Sequence, residues 1–334
     1  MNLTNVVRED TEAIEQMVSG LAWESVGSRQ RFLRVSRRRV RVVEVGRKGH
    51  PLVFLHGAGG WAETWGEVVP AMARAGYHCF AVDLPGFGQS APPLRPRYFE
   101  PGRSYYVRWT TKLLDELKLK RATLVGHSLG GTVAMLTAAT VPERVARLVL
   151  MAPGGFGDPV LYRLRMMALP FGEWLAPYVP DRLIRGFLRA NAYDPKCLPE
   201  WLYADALKYA RSGGGAELAR VMAQGLSKFR GPNGLGAQWR ARVSASIRCP
   251  TMVLWGRKDR TLPVSHAVDA AATLPGAVVE VIENAGHLLM LEKPRLVQRA
   301  LLAFLEVTAT RLTRPPSRTA PATAGAEFAM PPAL

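Results

Sequence analysis

Along this chain, short and continuously apolar runs alternate with stretches of helical period. "PLVFLHG" (51–57), "YHCFAVDLPG" (77–86), "RATLVGHS" (ending at Ser128) and "RVARLVLMAP" (144–153) are apolar at most positions. That is how strands covered on both faces read. Between them, helices are predicted near 64–75, 104–118 and 129–140, the last stopping before Pro142. Two strands, about 30–36 and 39–45, and an acidic helix, about 9–22, precede this series. Residues 154–246 break the alternation with a helical pattern and loop signals at "NAYDPK", "SGGG" and "GPNGLG". It resumes with "CPTMVLWG" and "AVVEVIENAGH" and closes on an amphipathic helix, about 294–309.

This order predicts an α/β fold, with a mostly parallel central sheet, helices on both faces and an inserted helical unit. The expected organisation is an N-terminal helical extension at 1–28, an α/β core at 29–153 and 247–312, a helical insertion at 154–246 and a tail at 313–334. The tail is rich in Pro, Ala and Thr from Pro315 onward and is expected to be disordered. No internal repeat is visible.

Composition narrows the function classes. With 334 residues and 48% apolar content, the chain buries a large core. No run reaches membrane-spanning length, and the first residues are acidic and polar where a secretory signal would be basic and then apolar, so a cytoplasmic protein is expected. Cys79, Cys197 and Cys249 lie far apart, two of them in apolar runs, which reads as small thiols rather than a disulfide frame or metal site. No metal and no cofactor are expected. The net charge of +17 raises the question of nucleic acid. Yet "RQRFLRVSRRRVRV" largely alternates basic with apolar residues, as a strand with one solvated face does, and no DNA-binding motif accompanies it. No nucleic-acid partner is expected.

The candidate chemistry starts at "GHSLGG", residues 126–131. G-x-S-x-G alone is a short pattern that chance supplies, and a serine before a helix also serves as an N-cap. An N-cap, however, needs no glycine two residues before it and none two after. A strand, the pattern and then a helix is the context in which the serine occupies a strained turn. Ser128 then needs a general base and a carboxylate to orient it. Of six histidines, His287 in "NAGHLLMLEKP" follows the last strand in a loop. Asp259 in "WGRKDRTLP" sits past a strand end, giving the order serine, aspartate, histidine, and it outranks its rivals Glu283 and Asp158 on placement. The glycine-rich turn "LHGAGGWAETW" offers the Ala58 N–H, with that of Leu129, as donors to an oxyanion. In "DLPGFGQS", Asp83 and the glycines read as a sharp turn beneath the site.

Together "HGAGG", "DLPGFGQS", "GHSLGG", "WGRKD" and "AGH", in this order over residues 50–310, resemble the α/β-hydrolase-fold enzymes that carry a helical cap. The resemblance implies Ser128 as nucleophile, His287 as base and Asp259 as its orienting acid, with residues 154–246 as a lid over the acyl pocket. The N-terminal helix and the tail have no counterpart in the minimal fold. Haloalkane dehalogenases and epoxide hydrolases of this fold use an aspartate nucleophile, whereas Ser128 fits an acyl-enzyme. "LVLMAPGGFG" is similar to a segment of the carbon–carbon bond hydrolases of aromatic degradation. Those usually carry asparagine before the serine and tryptophan after the histidine, where this chain has His127 and Leu288.

The expected activity is therefore hydrolysis of a small, hydrophobic carboxylic ester. Carbon–carbon hydrolysis ranks second, a perhydrolase or a non-catalytic ligand-binding protein behind it. Trp61, Trp65, Phe156, Met167 and Trp174 are the expected pocket residues, while most other apolar lid residues are expected to pack on one another. Arg163, Arg165, Arg182, Arg185 and Arg189 beside apolar faces leave contact with a membrane surface open. Oligomeric state is not legible in the sequence.

Overall fold

A computed structural model describes residues 23–94, 96–100, 104–157, 172–228, 243, 245–274 and 276–313. The expected N-terminal helix, the tail and part of the insertion lie outside the described residues.

Eight strands form one sheet: β1 (Arg29–Val35), β2 (Arg38–Val45), β3 (Pro51–Leu55), β4 (His78–Val82), β5 (Ala122–His127), β6 (Val145–Met151), β7 (Thr251–Gly256) and β8 (Val278–Ile282). Their spatial order is β1-β2-β4-β3-β5-β6-β7-β8. β1 and β2 pair antiparallel, β2 joins β4 antiparallel, and every later pairing is parallel. β5, β6 and β7 are buried at every position, which is why they read as unbroken apolar runs. β1 and β8 are the two edges of the sheet, and three of the four exposed positions of β1 carry Arg29, Gln30 and Arg34 beside Phe32, charged and polar residues that discourage strand addition from another chain.

Helices α1 (Val68–Arg74), α2 (Tyr105–Glu116), α3 (Leu129–Thr140), α7 (Ser265–Thr273) and α8 (Pro294–Thr313) belong to the core, and α4 (Asp181–Asn191), α5 (Glu200–Tyr209) and α6 (Gly215–Lys228) to the insertion between β6 and β7. α3 is apolar almost all round and packs on β3, β5 and β6, so it is the central buried helix of one face. The described insertion has a small core of its own in which Leu198, Leu202 and Tyr203 meet Trp61 from the loop after β3. Among the described residues, no helix is long and apolar enough to cross a membrane.

Candidate active site

Ser128 is the one residue between the end of β5 and the start of α3, and the chain reverses there with φ 50° and ψ −115°. A non-glycine residue at positive φ is strained by about 1–3 kcal/mol, a cost tolerated where the surroundings over-determine it. They do so here. The Ser128 N–H donates to Met151 O at 2.9 Å, and its carbonyl accepts from Thr132 N at 3.0 Å. A Cβ on Gly126 would lie 2.3 Å from Gly130 O, and one on Gly130 would lie 2.0 Å from Leu55 O. The flanking glycines thus let strand, helix and the neighbouring β3 close on the turn.

At the neighbouring strand ends, His287 Nδ1 and Asp259 Oδ2 are 2.7 Å apart, with the aspartate side chain wholly buried. The other oxygen, Oδ1, accepts from Thr261 N at 2.8 Å and Leu262 N at 2.9 Å. A carboxylate held this way keeps the proton of His287 on Nδ1 and leaves Nε2 free to accept one. Of the rival acids, Glu283 instead pairs with Arg257 at 2.9 Å on the surface. Asp158 lies outside the described residues. Two residues absent from the sequence-level site hold the histidine from behind. His127 Nε2 donates to His287 O at 2.9 Å, and Asn191 O accepts from His287 N at 2.7 Å. Burial holds the pKa of His127 well below the ordinary histidine value, so it works as a neutral donor.

The loop after β3 carries Ala58. His56 bridges it to the next turn: Nε2 accepts from Leu84 N at 2.9 Å while Nδ1 donates to Gly57 O at 2.7 Å, and burial presses its pKa to about 4. Asp83 accepts from Ala62 N at 2.7 Å and Gln89 N at 2.8 Å, beside the Arg41 guanidinium. The expected turn beneath the site is therefore also the clamp on the loop bearing Ala58. Leu129 is the first residue of α3, and an N–H there has no partner within its helix.

Ser128, His127 and His287 line a cavity of about 730 Å³ roofed by α4 and α6, with Ile184, Phe187 and Leu218 among its walls. Its size suits a small organic ligand. Ala58 and Trp61 line it as well. Other expected pocket residues lie elsewhere. Trp65 is wholly buried, edge-on to Phe54 at 5.2 Å, and Phe156 is packed into the main core. Trp174 is 74% exposed and outside the lining. Met167, with Arg163 and Arg165, falls outside the described residues. An apolar side chain in a loop is equally able to face core, cavity or solvent, and the local pattern does not distinguish them.

The insertion is pinned to the core by a buried carboxylate. Glu217 of α6 accepts from the Tyr98 hydroxyl and, at 2.6 Å, from Arg220, which also bridges to Glu173 at 2.7 Å. Burial outweighs the arginine and raises the Glu217 pKa to about 7. Its native pKa is raised, so its stabilising contribution is complete below about 4.5 and is lost as pH rises through about 7. Glu217→Gln, which cannot ionise, is therefore expected to gain melting temperature relative to wild type between pH 5 and pH 8, a swing of roughly 3 kcal/mol. Parallel melting curves of the two proteins over that range check this.

Residues 50–294 match the family model described as alpha/beta hydrolase fold. The chain belongs to this family and is a hydrolase. It is 31% identical over 270 residues to the dihydrolipoyllysine-residue acetyltransferase component of the acetoin cleaving system of Cupriavidus necator, covering 81% of this chain and 67% of that one. It is 30% identical over 277 residues to a 2-hydroxy-6-oxononadienedioate/2-hydroxy-6-oxononatrienedioate hydrolase of Cupriavidus pinatubonensis, covering 80% and 90%. Among solved structures, carboxylesterase CesB of Bacillus subtilis superposes with a TM-score of 0.65 at 22% identity, over 90% of this chain and 98% of that one.

Proposed function

We propose that this protein hydrolyses an uncharged, hydrophobic carboxylic ester through an acyl-enzyme on Ser128, with residues 154–246 serving as the cap over the acyl group. The observation that carries the reading is the strained serine at the foot of an apolar cavity that His287, hydrogen-bonded to buried Asp259, also lines. In this mechanism Ser128 Oγ attacks the ester carbonyl as His287 Nε2 takes its proton. The carbonyl oxygen becomes an oxyanion received by the N–H groups of Ala58 and Leu129. Collapse expels the alcohol, protonated by His287. Water then attacks the acyl-enzyme, giving its proton to the same nitrogen, and the carboxylic acid leaves. Asp259 stays ionised and stabilises the imidazolium between the two transfers.

The cavity chemistry supports this substrate class. Among the described residues that line it, none is Lys, Arg, Asp or Glu. An ionised dicarboxylate, as named for the Cupriavidus pinatubonensis relative, would lose its hydration there without a cationic partner, at a cost of several kcal/mol per charge. An uncharged acyl chain gains about 0.8 kcal/mol for each methylene it buries. p-Nitrophenyl esters of increasing acyl length, assayed beside a vinylogous dienoate, test the proposal. Activity is expected to rise with length over the shorter chains, roughly threefold to fourfold in kcat/KM per methylene. Truncating Phe187 to alanine is expected to flatten that rise while sparing the shortest ester. Turnover of the dienoate with no turnover of any ester would overturn it.

A further inference from the structure

The last residue of α4 enters the site from a direction that no motif announces. Asn191 is 5% exposed and makes a different contact with each of its polar groups. Its backbone carbonyl accepts from His287 N at 2.7 Å, its Oδ1 accepts from the Thr261 hydroxyl, and its Nδ2 donates to Phe187 O at 2.7 Å. Thr261 in turn gives its N–H to Asp259 Oδ1 at 2.8 Å, and Asp259 Oδ2 meets His287 Nδ1 at 2.7 Å. The four residues close a hydrogen-bonded ring, from Asn191 to His287 to Asp259 to Thr261 and back to Asn191. One of its members belongs to the insertion, and the other three to the core loops after β7 and β8.

Two further contacts hold the same junction. Glu292 accepts from Gly286 N at 3.0 Å and from Tyr193 N at 2.7 Å, tying the histidine loop to the segment that follows α4. A Cβ on Gly286 would lie 2.6 Å from Tyr193 N and 2.8 Å from Asn191 O, so the glycine permits the approach. α4 also walls the cavity with Leu183, Ile184 and Phe187, and the Asn191 side chain is fastened to the Phe187 carbonyl. The helix that walls the cavity is thus bonded directly to His287 and, through Thr261, to Asp259.

We infer that Asn191 is a positioning residue for the Asp259–His287 pair, transmitting to it the placement of the helix that walls the acyl cavity. The inference rests on the ester-hydrolase reading for its kinetic consequence but not for the ring itself. An acyl group that seats α4 holds Thr261, and through its N–H the Asp259 carboxylate, in the orientation the imidazole needs. Hydrogen bonds that orient a group already in contact with substrate act on turnover rather than on binding.

The test compares Asn191→Ala, Thr261→Val, the double variant and Thr261→Ser, each measured for kcat and KM on a p-nitrophenyl ester and for melting temperature. The proton between His287 and Asp259 is followed by its far-downfield NMR resonance. Each of the first two is expected to lower kcat about tenfold with KM changed less than twofold, and to weaken or shift the resonance. The double variant is expected to lose no more than the worse single, since both remove one link, and Thr261→Ser to retain wild-type behaviour. Unchanged kcat with an unchanged resonance, or losses that multiply in the double variant, overturns the inference. So does a fall in melting temperature with the resonance intact. If Asn191→Ala does not fold, Thr261→Val and Thr261→Ser carry the test. A wild-type protein inactive on every ester would defeat the reaction reading alone, because the resonance still reports whether Asn191 orients the pair.

Discussion

Ser128→Ala is expected to lower ester turnover by about 10⁴- to 10⁶-fold while leaving the KM and the fold in place, because only binding and the oxyanion donors remain to assist water. The size of the effect follows from the geometry. No other hydroxyl occupies the turn between β5 and α3, and the flanking Gly126 and Gly130 carry no side chain that could substitute for it. Alanine at φ 50° keeps most of the backbone strain, so the melting temperature should stay close to that of wild type. A fluorophosphonate is expected to attach at Ser128 in the wild type and nowhere in the variant. Near-normal hydrolysis by the variant, or an adduct mapped by mass spectrometry to another residue, would remove the nucleophile from the proposed mechanism.

Asp259→Asn is the second large effect, expected at about 10⁴-fold in kcat near neutral pH with little change in KM. The substitution preserves shape. Thr261 N and Leu262 N still find a carbonyl oxygen to donate to, so the loop after β7 keeps its form. What changes is the atom facing His287, where an amide N–H replaces a carboxylate oxygen and forces the imidazole to present its lone pair at Nδ1. Nε2 then carries the proton and has nothing with which to accept another from Ser128. Glu283→Gln provides the contrast. Its carboxylate is a surface partner of Arg257, and the variant should keep full activity. A mild Asp259→Asn beside a severe Glu283→Gln would reverse the assignment.

Much of the fold was legible because parallel strands buried on both faces leave a strong local trace. β5 and β6 were visible as unbroken apolar runs, and α3 begins at the residue after Ser128 as the pattern required. Ser128, Asp259 and His287 could be named as candidates for the same reason, each standing in a loop directly after such a run. The pocket was not. Trp65 and Trp61 are four residues apart in one glycine-rich turn, yet one is buried against Phe54 and the other looks into the cavity. Which way each faces depends on the backbone path of the turn and on the insertion above it, not on neighbouring residues. Asn191 was invisible for a related reason: its partner Thr261 is 70 residues away, across α5, α6 and the whole of β7. Local periodicity carries no information about such a meeting.

The order of the reacting groups along the chain also bears on synthesis. Ser128 leaves the ribosome 159 residues before His287, with the helical insertion between them. At roughly 5–20 residues per second, that gap lasts about 8 to 32 s. During it β5 can already pair with β3, placing the serine in its turn, while the base and its aspartate are still being made. Under the proposed mechanism the nascent chain would carry a hydroxyl without its base, and reactivity would begin only when β7, β8 and the loops after them have docked on the sheet. An amino-terminal fragment that ends within the insertion is therefore expected to be inert toward esters and fluorophosphonates alike.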